Sequence, residues 1–153
     1  MRRYRLSSQF IVALLMSTLM LPLLSANTFD ISEDTTWSGN ITLDSDVVVA
    51  SGSTLTIEPG TVIDGGNGHA IEVLGTLIVA DAHFLSSASP TAQSSHGQGL
   101  WQGIIVSAGG HATLTNVTIE NANVGVKSYG SLFANELTAV SYTHLRAHET
   151  IAD

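Results

Sequence analysis

The sequence predicts an all-β protein folded as a parallel β-solenoid, and three observations carry that prediction. A short aliphatic strand, a glycine turn and a second strand opened by leucine recur along the chain. The leucines recur at intervals near 20 residues, and no stretch after residue 26 has a helical hydrophobic period. The reference unit is Val47–Ile63, VVVASGSTLTIEPGTVI. It reads as an apolar strand, a tight turn at Ser51-Gly52-Ser53, a strand over Thr54–Ile57 and a turn at Glu58-Pro59-Gly60. The two-residue strand period sends Leu55 and Ile57 to one face and Thr54 and Thr56 to the other. Variants follow at Ile71–Val79 (IEVLGTLIV), Ile104–Ile119 (IIVSAGGHATLTNVTI) and Val124–Leu137 (VGVKSYGSLFANEL).

Leu55 and Leu77 are 22 residues apart, and Leu114 and Leu132 are 18 apart. Leu77 and Leu114 are 37 apart, which falls to 23 once the 14-residue polar excursion Ser86–Gly99 (SSASPTAQSSHGQG) is set aside. One such coil cannot bury its own apolar face. Coils stacked about 4.8 Å apart pair their backbones and share one core. The expected inner column is Leu55, Ile57, Ile71, Val73, Leu77, Val79, Val106, Leu114, Val117, Ile119, Val124, Val126 and Leu132, with Glu72 and Thr118 facing water. Antiparallel hairpins are the competing architecture. The lack of two-residue Asn-Gly or Asp-Gly turns between paired strands and the likeness of the units weigh against them.

Taken in order, the chain opens on a basic Met1–Arg5, an almost unbroken apolar Phe10–Leu24 and a small-residue ending, Leu24-Ser25-Ala26. That form predicts a secretory signal peptide over residues 1–26, cut after Ala26. The apolar run is shorter than the ~20 residues that span a bilayer and contains Pro22, so no membrane span is expected after cleavage. Arg2-Arg3 reads as leader charge rather than a twin-arginine signal. The lack of cysteine excludes a lipoprotein anchor. Residues 27–139 read as N-terminal coils of a solenoid domain. Asn27–Asp34 is a polar extended lead-in, and Trp37 and Ile41–Leu43 begin the ordered part. Asp44-Ser45-Asp46 and Asp64-Gly65-Gly66-Asn67-Gly68 are turns, and Trp101-Gln102-Gly103-Ile104 returns the chain to the stack after the excursion.

Composition narrows the functions open to the chain. Its 153 residues allow one modest domain, and 44% hydrophobic residues argue against disorder. With no cysteine there is no disulfide framework, zinc–thiolate site or thiol nucleophile. The net charge of −8 understates the body's acidity: between Asn27 and Ala139, Lys127 is the only Lys or Arg, against eleven Asp and Glu. Such a surface repels phosphate backbones, so no nucleic-acid partner is expected, and an anionic glycan would need a bridging cation.

The succession LTIEPGTVI, IEVLGTLIVADAHFLSS, LWQGIIV and ATLTNVTIENANVGV resembles secreted right-handed parallel β-helix proteins of the pectin-lyase-like superfamily, over roughly Trp37 to Ala139. The resemblance implies that fold and an extracytoplasmic location. It leaves function open, because the architecture hosts lyases, hydrolases, adhesins and inert spacers. Val140–Thr150 (VSYTHLRAHET) resembles a translated sequencing-library adapter. Residues 140–153 are therefore expected to be non-native, and the natural chain is expected to continue past Ala139.

The candidate sites are weak one by one, and no residue is assigned a catalytic, cofactor or metal role. Lyases of the resembled family use an arginine or lysine base. Here only Lys127 remains, and it reads as a solvated turn residue. Asp44 and Asp46 are close enough to suggest a carboxylate pair, but aspartates also favour turns. The Asn-Thr-Asp, Asp-Asp and Gly-His-Gly signatures of the related hydrolases are absent. Gly65-Gly66-Asn67-Gly68 begins like a calcium-binding nonapeptide, yet Ala70 stands where an aspartate is needed. His69, His83, His96 and His111 lack ligand spacing and read as turn or surface residues. His144 and His148 fall in the foreign tail. Thr54/Thr56 and Thr113/Thr115 do not repeat on every coil as an ice-binding ladder would. Asn40 and Asn116 head glycosylation acceptor patterns, and Asn116 also suits an internal asparagine stack. The expectation is a non-catalytic secreted or cell-surface region serving as scaffold, adhesin or glycan-binding module. The alternative is a polysaccharide lyase or glycoside hydrolase whose active-site coils lie beyond the end of this sequence.

Overall fold

The computed structural model describes residues 27–87 and 100–140. In chain order the strands are β1 (Thr28–Ile31), β2 (Thr35–Trp37), β3 (Asn40–Thr42), β4 (Asp46–Val49), β5 (Thr54–Ile57), β6 (Val62–Asp64), β7 (Ala70–Val73), β8 (Thr76–Leu85), β9 (Gly103–Val106), β10 (His111–Glu120), β11 (Val126–Ser128) and β12 (Ser131–Val140). Every strand pairing is parallel. One sheet runs β1-β4-β7-β9-β11, and the other runs β2-β5-β8-β10-β12 with β3 and β6 alongside. The described residues thus form a parallel β-solenoid of five coils, each contributing one strand to the first sheet before crossing to the second.

The first coil starts earlier than the sequence suggests. Thr28–Ile31, read as a polar lead-in, pairs with Asp46–Val49, and Ile31 is buried. A single buried residue, Ile31, is enough to seat a strand whose backbone is satisfied by its neighbour. At the other end β12 reaches Val140, which pairs with Glu120. The leader, most of the Ser86–Gly99 excursion and the tail after Val140 lie outside the described residues.

The core is a set of vertical columns. On the first sheet Val47, Ile71, Ile104 and Val126 stack, as do Ile31, Val49, Val73 and Val106. On the second, Leu55 lies on Leu77, Leu77 on Ala112 and Ala112 on Leu132. The segments around the four leucines do lie one above the next, but Leu114 is displaced by two residues: it faces Val79 below and Ala134 above.

The cause is an alternation in turn length. The step from the last first-sheet position to the first inward second-sheet position runs Ile31 to Thr35, Val49 to Leu55, Val73 to Leu77, Val106 to Ala112 and Ser128 to Leu132. That is four, six, four, six and four residues. A shift of two keeps side chains on the same face, so Leu114 remains buried. Leu132 and Val124, expected inside, are only half-buried. Leu132 sits on the last described coil, and Val124 precedes β11 on the turn into the first sheet.

Asp64 ties the end of β6 to the point where the excursion departs. Its Oδ1 accepts hydrogen bonds from the N–H of Gly66 (3.0 Å) and Ser87 (3.1 Å), and its Oδ2 accepts the Ser87 hydroxyl. Burial pushes the carboxyl pKa up, but these three donors outweigh it and leave the group below the ordinary aspartate value of 3.8. A depressed folded-state pKa contributes stability above the unfolded value, and that contribution is lost as pH falls through the folded value. Asp64→Asn is therefore expected to flatten the fall in the urea midpoint below about pH 4. An unchanged acid limb would count against the anchor.

Candidate ligand groove at the strand bend

The second sheet bends once in every coil, and the bend builds the site. A residue of positive φ sits there each time: Gly39 (80°), Gly60 (82°), Asp81 (50°), Asn116 (49°) and Glu136 (56°). The strand ladder skips Asn116 against both neighbours, with Thr115 and Val117 paired on either side. Asp and Asn tolerate this backbone region better than most residues. Because the bend interrupts the alternation, Ala80 and Asp81 both point away from the core before Ala82 turns back in.

Asn116 Nδ2 donates to Asp81 Oδ1 across coils at 2.6 Å. One coil below Asp81, Gly60 offers no side chain, and a Cβ placed there would meet nothing within 4 Å. The result is an open groove of about 300 Å³ between Gly60, Val62, Asp81, His83, Asn116 and Thr118. His83 and Thr118 are register partners on β8 and β10. His83 Nε2 is 3.4 Å from Glu120 Oε2, within ion-pair distance, and the atom is shielded from water without a hydrogen-bond partner. The groove thus offers a carboxylate, an amide and a hydroxyl on a rigid ladder, with the His83 ring in its lining, beside an open floor.

The residues singled out from sequence are scattered. Lys127 lies within β11, not on a turn, because it pairs with Ile105; its Nζ is 5.0 Å from the Tyr129 ring centroid. Asp44 is exposed, whereas Asp46 opens β4 and accepts the Ala70 N–H at 3.0 Å, with His69 Nδ1 at 3.6 Å. Those contacts are cross-coil bracing, not a paired-carboxylate site. Gly65–Gly68 forms a corner turn. His111 is exposed on β10, and Asn40 is exposed on β3. His96, His144 and His148 lie outside the described residues. Asn116 is not part of an internal stack: it is exposed and its amide is committed to Asp81. The threonine column is broken, running Thr36, Thr56, Ile78, Thr113, Phe133. Among the described residues no three His, Asp or Glu side chains converge on a metal-sized site.

Sequence reading missed Asp81 and gave His83 no role. A signal was present: buried residues step by three instead of two between Val79 and Ala82 and between Leu114 and Val117, and their register partners on the last described coil, Ala134 and Leu137, keep the same step. That skipped beat marks the bend, and the exposed residue within the first two of these steps, Asp81 and Asn116, lies in the groove. Comparison of the chain with family models, with curated proteins and with solved structures gives no match in any of the three.

Proposed function

We propose that this chain is a secreted or cell-surface solenoid scaffold of the pectin-lyase-like kind, and that it binds a neutral glycan in the bend groove without transforming it. The supporting observation is the Asp81–Asn116 pair, fixed at 2.6 Å beside the open space at Gly60. Fixed planar acceptors and donors suit sugar hydroxyls, because little ordering entropy is lost when they bind. The body's excess of acidic residues disfavours anionic polymers.

Gly60→Asn tests the reading. Asparagine accepts positive φ more readily than other side chains and would fill the groove. With soluble neutral β-glucan, xylan and mannan oligosaccharides in titration calorimetry, the variant is expected to lose about tenfold or more in affinity. Its unfolding free energy should stay within about 2 kcal/mol of wild type. Wild-type affinity in the variant would overturn the assignment. A second reading, a glycoside hydrolase, is favoured by the carboxylates of Asp81 and Glu120 on neighbouring coils near His83. Release of reducing sugar from the same oligosaccharides would select it.

A further inference from the structure

Among the described residues, one buried side-chain polar atom lacks a hydrogen bond: His83 Nε2. An atom of that kind calls for a cause, and an ion is one of them. Glu120 Oε2, on the coil above, faces it at 3.4 Å.

The separation decides between three ways of joining the two groups. A charge-assisted N–H···O bond would draw them to about 2.7–2.9 Å. A bridging water, with a hydrogen bond of about 2.8 Å to each, would hold them roughly 4.5 Å apart. Zinc bonds an imidazole nitrogen at about 2.0–2.1 Å and a carboxylate oxygen at about 2.0–2.2 Å, and a tetrahedral angle then sets the two ligand atoms about 3.4 Å apart. The observed 3.4 Å matches the third.

The backbone holds both side chains in place. His83 and Glu120 each adjoin a fully buried residue, Phe84 and Ile119, and those two are register partners on β8 and β10. His83 N donates to Thr61 O at 3.0 Å, and Trp101 Nε1 donates to the Glu120 carbonyl at 3.1 Å. Asn121 Nδ2 donates to Ser86 O at 3.3 Å, a further tie between the same two coils. Little freedom is left to be lost when an ion binds. The His83 and Glu120 side chains are 38% and 40% exposed, so an ion has an approach from solvent. Eleven Asp and Glu against the single Lys127 between Asn27 and Ala139 make the body attractive to cations.

We infer that His83 and Glu120 form a two-ligand site for one divalent transition-metal ion of the zinc type, which clamps the third coil to the fourth. Neutral imidazole gives the Nε2 lone pair, the carboxylate gives Oε2, and water fills the other two positions. An imidazole with one carboxylate suits zinc, nickel or copper, whereas calcium and magnesium take six or more oxygens. Two protein ligands make the affinity modest, in keeping with the lack of any three converging His, Asp or Glu side chains among the described residues. The other cross-coil pair, His69 Nδ1 and Asp46 Oδ1 at 3.6 Å, differs because Asp46 Oδ1 already accepts the Ala70 N–H. The site stands apart from the glycan reading, since no sugar enters it.

The test is calorimetric titration of the EDTA-stripped chain with zinc chloride, with calcium chloride as control, and urea unfolding with and without zinc. Wild type, His83→Gln, Glu120→Gln and His69→Gln are compared, and far-UV circular dichroism checks that each is folded. Wild type should bind zinc, and excess zinc should raise its urea midpoint. His83→Gln and Glu120→Gln should each lose about tenfold or more in zinc affinity, together with the rise in midpoint, while His69→Gln keeps both. Calcium should neither bind nor stabilise. In wild type, zinc should shift the His83 ring resonances in NMR spectra; shifts confined to other histidines would overturn the site whatever the variants do. Wild-type zinc affinity in His83→Gln or Glu120→Gln would overturn it too, as would no zinc binding by wild type. Calcium binding as tight as zinc would refute the ligand assignment. Variants weakened without metal, with zinc leaving wild type unmoved, would make the contact a plain ion pair and also end the proposal.

Discussion

Gly103→Ala is expected to cost about 4 kcal/mol or more, a large fraction of the ~5–15 kcal/mol that holds a domain folded. Gly103 opens β9 with φ at +98°, and a Cβ there would lie 1.7 Å from the Val124 carbonyl oxygen and 2.8 Å from that of Gly125. Both obstacles are backbone, so no rotamer change relieves them. The chain must pass this close because Ile104 N donates to Gly125 O at 3.1 Å and Asn123 N donates to Trp101 O at 2.7 Å. Any side chain would pry the fourth and fifth coils apart. Far-UV circular dichroism with urea titration would show an unfolded or grossly weakened protein. A native-like midpoint would mean that the two coils are not in this close contact.

Trp101→Ala should lose about 3–5 kcal/mol. The indole is fully buried and lies on Phe84 with ring centroids 5.8 Å apart and planes 9° from parallel. Its Nε1 donates to the Glu120 carbonyl at 3.1 Å, so truncation leaves a cavity and an unpaired acceptor together. Gly65 is the other half of the packing: a Cβ there would sit 2.3 Å from the Trp101 Cβ and Cγ. Gly65→Ala alone should therefore cost about 1–3 kcal/mol by overpacking, and clearly less in combination with Trp101→Gly, which removes the Cβ as well as the indole it would meet. Urea unfolding of the four proteins, followed by circular dichroism, closes that cycle. Additive losses would show that the two residues do not press on each other.

The fold was readable because burial enforces a simple rule. Leu55, Ile57, Ile71, Val73, Leu77 and Val79 alternate strictly and each is buried. The glycine turns at Gly52 and Gly60 also fall where the chain reverses or bends with positive φ. Alignment by leucine alone failed at Leu114, because a two-residue change in a turn moves the register without changing which face is buried. The groove was harder to read. Bend positions occupied by Asp81, Asn116 and Glu136 share a backbone conformation but no residue type, so no letter repeats. What repeats is a skipped beat among the inward residues. Asn116 and Asp81 acquire their joint meaning only when coils 35 residues apart in sequence are laid together.

The short and long crossings between the sheets follow each other without exception through the five described coils. The module of this architecture is therefore a doublet, and a protein engineer lengthening or shortening the rod would have to splice an even number of turns. Removing just one would set like crossings side by side, slide the exterior pattern by a step and leave the interior none the wiser.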